Sequence, residues 1–271
     1  MLRRKLEGLR YRGYGGGIIY KHRALLTSPR ELTKIIPSAI LPLLMFVGWL
    51  YTLNWVSLAW AHILDFWRAV LGLGGYITTS YYHLGDFYKF SVPYLHITSD
   101  PPDYFTLLLG GLATVLVLLI TFVIPRRYLP IIYLVRVAVF FHACAQIFFA
   151  FIPVYFPYGA SGYIHGMLIA GLFLIALVPI LLGFTYFIFD FNLAKKLLLT
   201  LLMMLHLSIL IPVQYMAHAY ILHHMSLLFL PILFFVFGLP FQVMTFIAFY
   251  SWGSSWRGAL DGEQFRQEKE A

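Results

Sequence analysis

The chain has 271 residues, of which 61% are hydrophobic, 18% aromatic and only 11% charged. Soluble domains carry about 25% charged residues, so this composition excludes a soluble domain, and its apolar richness excludes a disordered chain. The single cysteine, Cys144, excludes a disulfide framework and any zinc site built on paired cysteines. The net charge of +8 is typical here of a cytoplasmic membrane face rather than of nucleic-acid binding.

Six apolar runs have the length that a helix needs to cross a bilayer, about 20 residues. They cover residues 37–61, 105–124, 131–152, 166–189, 197–217 and 227–250. Because lipid offers the backbone no hydrogen bonds, each run is predicted to be a helix. The sequence therefore predicts an all-α integral membrane protein with a transmembrane domain at 37–250. A basic arm with an interfacial helix precedes it at 1–36, and a tail follows at 251–271.

Lys and Arg residues are distributed unequally between the two sides of these runs. Sixteen lie in the N-terminal arm, the loops after the second and fourth runs and the tail, against two in the opposite loops. This asymmetry predicts cytoplasmic termini and a multi-pass protein of the cell's inner membrane.

The first external segment, residues 62–104, is too long for a simple connection. Residues 62–71 place apolar side chains at helical spacing, with His62, Asp65 and Arg68 on the other face. This pattern predicts an amphipathic helix that lies in the outer membrane interface. The tyrosines that follow are typical of an aromatic belt, and stacking on sugars is the alternative interpretation.

Two histidines lie within predicted spans at nearly the same depth. His142 and His206 are about 16 Å and 14 Å from the cytoplasmic side at 1.5 Å per residue. One interpretation is hydrogen bonding across helices. The alternatives are axial ligation of a haem b by both imidazoles and a proton relay.

Other polar residues inside the spans are predicted to line a substrate path: Arg136, Gln146 and Gln214. Arg136 lies about 9 Å into the bilayer. There it either extends to cytoplasmic phosphates or faces an anionic substrate. Polar side chains at such depth are expected to point into the bundle and find partners.

Histidines are also frequent on the outer face, where His218, His223 and His224 follow one another closely. Neutral imidazole suits copper and zinc, so an outer-face metal site is one interpretation of this group. Carboxylates are nearly absent from the spans, which argues against an enzyme that uses paired carboxylates.

The two ends of the chain carry short motifs. Residues 10–17 read Arg-Tyr-Arg-Gly-Tyr-Gly-Gly-Gly, residues 22–30 read His-Arg-Ala-Leu-Leu-Thr-Ser-Pro-Arg before the first span, and Trp252-Gly-Ser-Ser follows the last. This arrangement resembles the membrane region of processive family 2 glycosyltransferases, such as cellulose, hyaluronan and chitin synthases. Arg12 matches the arginine of the family's Gln-x-x-Arg-Trp motif, whereas Leu9 and Gly13 replace its Gln and Trp.

The resemblance implies a channel-forming membrane region, with Arg10, Arg12 and Trp252 as residues that dock a partner. The family's nucleotide-sugar domain and its Asp-x-Asp motif are absent, so the chain is not expected to be catalytic alone. The predicted function is a membrane-embedded channel or scaffold subunit of a glycan synthesis or export system. The alternatives are the permease subunit of an ATPase-driven exporter and a histidine-ligated haem or metal protein. The expected partners are the bilayer and a catalytic or ATPase subunit, without nucleic acid.

Overall fold

The computed structural model describes residues 32–85, 88–186 and 193–256. It is mostly helical (77%), and six stretches are long and apolar enough to span a membrane. They are Ile40–Val70, Tyr104–Val123, Arg126–Phe151, Pro153–Gly183, Leu193–His224 and Leu227–Gly253. These spans are those of a multi-pass membrane protein and confirm the prediction of six.

The elements follow in chain order, and the last span contains two helices. They are α1 (Leu32–Val70), β1 (Tyr76–Leu84), β2 (Tyr88–His96), α2 (Tyr104–Val123), α3 (Leu129–Phe151), α4 (Ala160–Gly183), α5 (Leu193–His224), α6 (Leu230–Phe235) and α7 (Leu239–Ser254). Short 3-10 turns precede α3, α4 and α6. We call the end of the bundle where α1 ends and α4 begins distal, and the end with Gly183 and Leu193 proximal.

The segment after the first apolar run differs from the prediction in two ways. The separate amphipathic helix is wrong, because α1 runs unbroken for 39 residues to Val70. No Gly or Pro lies between Gly48 and Gly72, whose positive φ of 61° ends the helix. The all-α expectation is also wrong for residues 76–96, which form an antiparallel β-hairpin with Tyr76 opposite His96.

Strand formation in the hairpin follows from its composition. β1 is rich in Thr and Tyr, which fit a pleated, half-buried surface. Gly75 starts the hairpin at a φ of 89°, and a Cβ there would collide with the carbonyl oxygen of His96. β2 is the inner strand, with Phe90, Val92 and Leu95 buried between α1 and α4.

The core of the bundle consists of α1, α4 and α5. α1 and α5 run parallel, and the indole Nε1 of Trp60 donates a hydrogen bond to the carbonyl of Ser208 at 2.7 Å. α4 and α5 run antiparallel, and Gly171 faces Ile211 at their contact. Because lipid tails are as apolar as the side chains, close approach at small residues stabilises such contacts.

α2 and α3 form a second unit beside this core. α2 exposes most of its side chains and buries only Thr114 and Thr121. Both threonines face polar side chains of α3, described below. Stacking of Phe141 on Phe235, with ring centroids 4.5 Å apart, joins this unit to the last span.

Gly171 offers a test of the α4–α5 contact. A Cβ at this position would lie 2.7 Å from Cγ2 of Ile211, whose branched side chain has little freedom to move. We expect Gly171→Ala to lower the free energy of unfolding by about 1–3 kcal/mol, the usual cost of overpacking. Thermal unfolding in detergent measures this loss.

Gly166 on the same helix supplies the control, because a Cβ there meets nothing within 4 Å. Gly166→Ala should be neutral or stabilising, since alanine favours helix by up to about 1 kcal/mol. Ile211→Ala should recover part of the loss in the Gly171→Ala background. Equal effects of the two glycine substitutions would contradict the close-contact argument.

Asp103 caps α2 and makes its stability depend on pH. Its carboxylate accepts a hydrogen bond from the Thr106 N–H at 2.8 Å, and hydrogen bonds from the side chain and backbone of Thr106 lower the pKa of Asp103. The stabilisation is therefore present above the unfolded pKa of about 3.9 and is lost as the pH falls through the lower folded pKa.

We expect Asp103→Ala to unfold at a lower temperature than the wild type at neutral pH. Asp103→Asn should unfold close to the wild-type temperature, because asparagine is also a favoured N-cap residue. The gap between wild type and Asp103→Ala should narrow as the pH falls below the unfolded pKa of about 3.9 and close below the lower folded pKa, where the carboxyl group is protonated. Thermal unfolding curves measured between these pH values provide the test. A gap that does not change with pH would contradict this role.

Candidate functional site

The last span is broken in its middle. α6 ends at Phe235 and α7 begins at Leu239, with Gly238 as its N-cap and Pro240 in its first turn. Only glycine fits at position 238, because the backbone there lies close to that of Phe234 and a Cβ would be 2.5 Å from the Phe234 carbonyl oxygen. Within lipid, the backbone groups freed by such a break need partners from the protein or from water.

A glutamine on the neighbouring helix supplies those partners. Nε2 of Gln214, on α5, donates hydrogen bonds to the carbonyl oxygens of Phe237 and Gly238. The amide therefore caps the broken backbone from the side. Since Gln214 is itself buried, this contact replaces the water that would otherwise satisfy the carbonyls.

A second glutamine orients the first. Gln242, on α7, is fully buried, and its Nε2 donates to Oε1 of Gln214 at 3.3 Å and to the Tyr215 hydroxyl at 2.9 Å. Its Oε1 is also buried and has no hydrogen-bond partner among the described residues. An unpaired buried acceptor is costly, so this oxygen is a point at which a donor from outside would be stabilised.

Tyr163 and His218 extend the group towards the distal end. The Tyr163 hydroxyl lies 2.9 Å from Nδ1 of His218, and both side chains are buried. The Tyr215 ring lies edge-on to His218, with centroids 5.2 Å apart. We call Tyr163, Gln214, Tyr215, His218 and Gln242 the buried polar cluster. Its members are two amides, two phenols and an imidazole, from α4, α5 and α7.

The predicted path residues do not form one group. Gln214 belongs to the buried polar cluster, whereas Arg136 and Gln146 face α2. Nε of Arg136 donates to Thr121 Oγ1 at 3.1 Å, and the guanidinium lies over the Phe122 ring at 4.6 Å. Nε2 of Gln146 donates to Thr114 Oγ1 at 2.8 Å. These contacts give α2 and α3 a polar seam of their own.

The two histidines predicted at matched depth, His142 and His206, lie in different surroundings. His142 is buried beside the ring of Phe229, with centroids 4.9 Å apart. His206 is exposed on α5 and lies beside Phe249 at 5.1 Å. Phe229 lies at the beginning of the last span and Phe249 near its end, so these contacts place the two histidines at different depths rather than at one level. Nδ1 of His142 has no hydrogen-bond partner in the described part of the chain.

The outer histidines also differ in their surroundings. His218 is buried against Tyr163, while His223 and His224 are exposed at the end of α5. His223 and His224 lie together, with ring centroids 5.0 Å apart, and Nδ1 of His223 is 3.2 Å from the carbonyl oxygen of Thr98. Within residues 32–85, 88–186 and 193–256, no group of three His, Cys, Asp or Glu has the geometry of a metal site.

The predicted docking residues are only partly visible. Trp252 is 49% exposed on α7 and lies edge-on to Trp256, with centroids 4.9 Å apart. Arg10 and Arg12 lie outside the described residues. The partner surface that these residues were predicted to form therefore stays a prediction.

Three members of the buried polar cluster were not identified from the sequence: Tyr163, Tyr215 and Gln242. A signal exists for Gln242, because Gly238 and Pro240 interrupt the last apolar run just before it. Gly and Pro within a hydrophobic span mark a discontinuous helix, and polar side chains beside it satisfy the freed backbone. Tyr163 and Tyr215 carry no comparable signal.

Comparisons with known protein families, with curated proteins and with solved structures found no match to this chain. The resemblance to processive glycosyltransferases therefore depends on the terminal motifs alone.

The hydrogen bonds of Gln242 lead to a stability prediction. Gln242→Leu leaves the Tyr215 hydroxyl and Gln214 Oε1 without their partner, and a buried polar group without one costs about 1–3 kcal/mol. We expect a loss of that size in thermal unfolding. Tyr215→Phe should cost less in the Gln242→Leu background than alone, because the two side chains share one bond.

Met244 provides the matched control on the same helix, since it is 64% exposed on α7. Met244→Leu keeps the volume and should change stability by less than about 1.5 kcal/mol. Additive losses for Gln242→Leu and Tyr215→Phe would contradict the coupling.

Proposed function

We propose that the chain is the membrane-embedded channel or scaffold subunit of a glycan synthesis or export system, and that the broken last span is its gate. The observation that carries this proposal is the break at residues 236–238, whose carbonyl groups accept hydrogen bonds from the neutral side chain of Gln214. In membrane transporters, discontinuous helices lie where substrate is bound near the bilayer midplane.

The chemistry of the buried polar cluster favours an uncharged substrate rich in hydroxyl groups. Amide, phenol and imidazole groups both donate and accept hydrogen bonds, as sugar hydroxyls do. Gln214 and Gln242 can exchange their bonds to each other and to the broken backbone for bonds to such a substrate. The unpaired Oε1 of Gln242 offers an acceptor for the first donor that enters.

The distribution of charge supports an orientation in the inner membrane with cytoplasmic termini. Arg126, Arg127, Lys195 and Lys196 all lie at the proximal end of the bundle, and the positive side of a membrane protein faces the cytoplasm. At the distal end, Arg68 is paired with Asp65 at 2.9 Å. The proximal end is thus the proposed cytoplasmic face, where a catalytic partner would bind.

A deletion strain of the native host tests the function. We expect loss of cell-surface polysaccharide in the deletion and full recovery with the wild type or Met244→Leu. Gln242→Leu should recover about tenfold less, which corresponds to about 1.4 kcal/mol of lost hydrogen bonding. The readout is surface polysaccharide per cell, normalised to the amount of folded protein in the membrane.

Affinity purification of the full chain tests the partner. We expect a soluble or peripheral glycosyltransferase to be recovered with it. Recovery of an ATPase instead would favour the permease interpretation. Normal surface polysaccharide in the deletion strain, together with recovery of the protein alone, would overturn the proposal.

A further inference from the structure

The β-hairpin does not lie on top of the bundle but runs down along α4. At the distal end, the backbone N–H and carbonyl of Ile97 are both hydrogen-bonded to the Ser161 hydroxyl, at 2.8 and 2.7 Å. One turn further, the Tyr94 ring stacks on His165 with centroids 4.2 Å apart. Near the hairpin tip, Tyr88 and Phe90 line a small cavity with α4 residues as far along as Ala176. Ala176 is about 24 Å along α4 from Ala160, at 1.5 Å per residue.

Contacts between the hairpin and α1 indicate the same depth for the hairpin tip. The hydroxyl groups of Ser91 and Ser57 are 2.8 Å apart, and the cavity at the tip is also lined by Trp49 and Leu53. Trp60, further along α1, is hydrogen-bonded to the middle of α5 at Ser208. Residues 49–57 therefore lie proximal to that midpoint. The tip of the hairpin thus reaches the middle of the spans.

The outer strand of this hairpin presents groups that lipid cannot satisfy. In the described part of the chain, β2 is the one strand that pairs with β1, so the other edge of β1 is open. Open sheet edges do not occur against the hydrocarbon of a bilayer. Exposed polar side chains continue this surface: Thr79, Tyr81 and His83 on β1 and Lys89 on β2.

Two polar atoms that are buried without partners in the described part of the chain lie on residues of the cavity at the tip. The cavity has a volume of about 40 Å³. Nε1 of Trp49 and the hydroxyl of Tyr88 belong to residues that line it, and both atoms are buried without a hydrogen-bond partner among the described residues. The other lining residues are apolar, and the cavity is large enough for one water molecule.

We propose that the outer face of the hairpin borders a water-filled cleft that opens at the distal end and reaches to the middle of the membrane. Water satisfies the open β1 edge, the Lys89 ammonium and the two polar atoms at the tip together. A second copy pairing edge to edge with β1 would satisfy only the first of these. The cleft admits hydrated polar solutes, and it exists whether or not the protein handles a glycan.

Thiol accessibility tests the cleft in the full-length protein. Cys144 is the natural cysteine and is exposed on α3, so Cys144→Ala provides the background. Single cysteines are then placed by Thr79→Cys, Tyr81→Cys and His83→Cys, all at exposed positions. Leu116→Cys is the matched control, because Leu116 is 57% exposed on α2, among apolar side chains near the middle of a span.

A membrane-impermeant, charged thiol reagent is applied to intact cells, and total thiol is counted after denaturation. We expect the three hairpin cysteines to react at least about tenfold faster than Leu116→Cys, because such reagents need a hydrated thiolate. Rates equal to that of the control would overturn the cleft. Labelling that occurs only in inverted vesicles would contradict the proposal that the cleft opens at the outer side.

The same variants separate water from a second copy. Oxidation that cross-links Thr79→Cys or Tyr81→Cys into dimers in high yield would place another β1 strand at this edge, and would overturn the proposal. Variants that stay monomeric and whose cysteines still react with the reagent would support the cleft. Because surface polysaccharide is not a readout here, failure of this test is distinct from failure of the proposed function.

Discussion

The structure depends on one constraint, which is that backbone N–H and C=O groups cannot be left unpaired within lipid. Four of the six spans meet it by remaining helical over their length, and the fourth span is helical from Ala160 onwards. Two places do not: the break at residues 236–238 and the open edge of β1. At the first, the protein supplies the missing partners itself through Gln214. At the second, no described residue does so, and the surface is polar.

The two exceptions are connected by α4 and α5. Close packing at Gly171 fixes the distance between these helices, which brings Tyr163 to His218 and leaves Gln214 and Tyr215 facing α7. The opposite side of α4 forms one wall of the groove that holds β2. A change in the position of α4 would therefore alter both the capping of the broken helix and the depth of the hairpin. The broken helix and the hairpin therefore depend on the same helix for their positions.

Hydropathy was sufficient to predict the six spans, because lipid selects for apolar length whatever the tertiary structure. It failed where helix ends are set by local geometry. α5 continues to His224 and ends before Ser226, whose φ is 126°, well beyond the apolar run that closes at residue 217. The hairpin was missed because β2 buries residues on both of its faces, such as Val92 and Pro93, which removes the alternation that identifies a strand. Its tyrosines equally fit an interfacial belt.

Counting residues from the end of a span gives an approximate depth and no direction for a side chain. It placed His142 and His206 at one level, but they pack beside Phe229 and Phe249, which lie at opposite ends of the last span. The same reasoning predicted that Gln214 points into the bundle, which it does. It did not predict that the partner would be Gln242, because that requires α7 to begin anew after Gly238. A broken helix resets the angular position of every later residue, so periodicity counted across residues 236–238 loses its meaning. The members of the buried polar cluster on α5 and α7 meet at that discontinuity, where extrapolation from sequence periodicity fails.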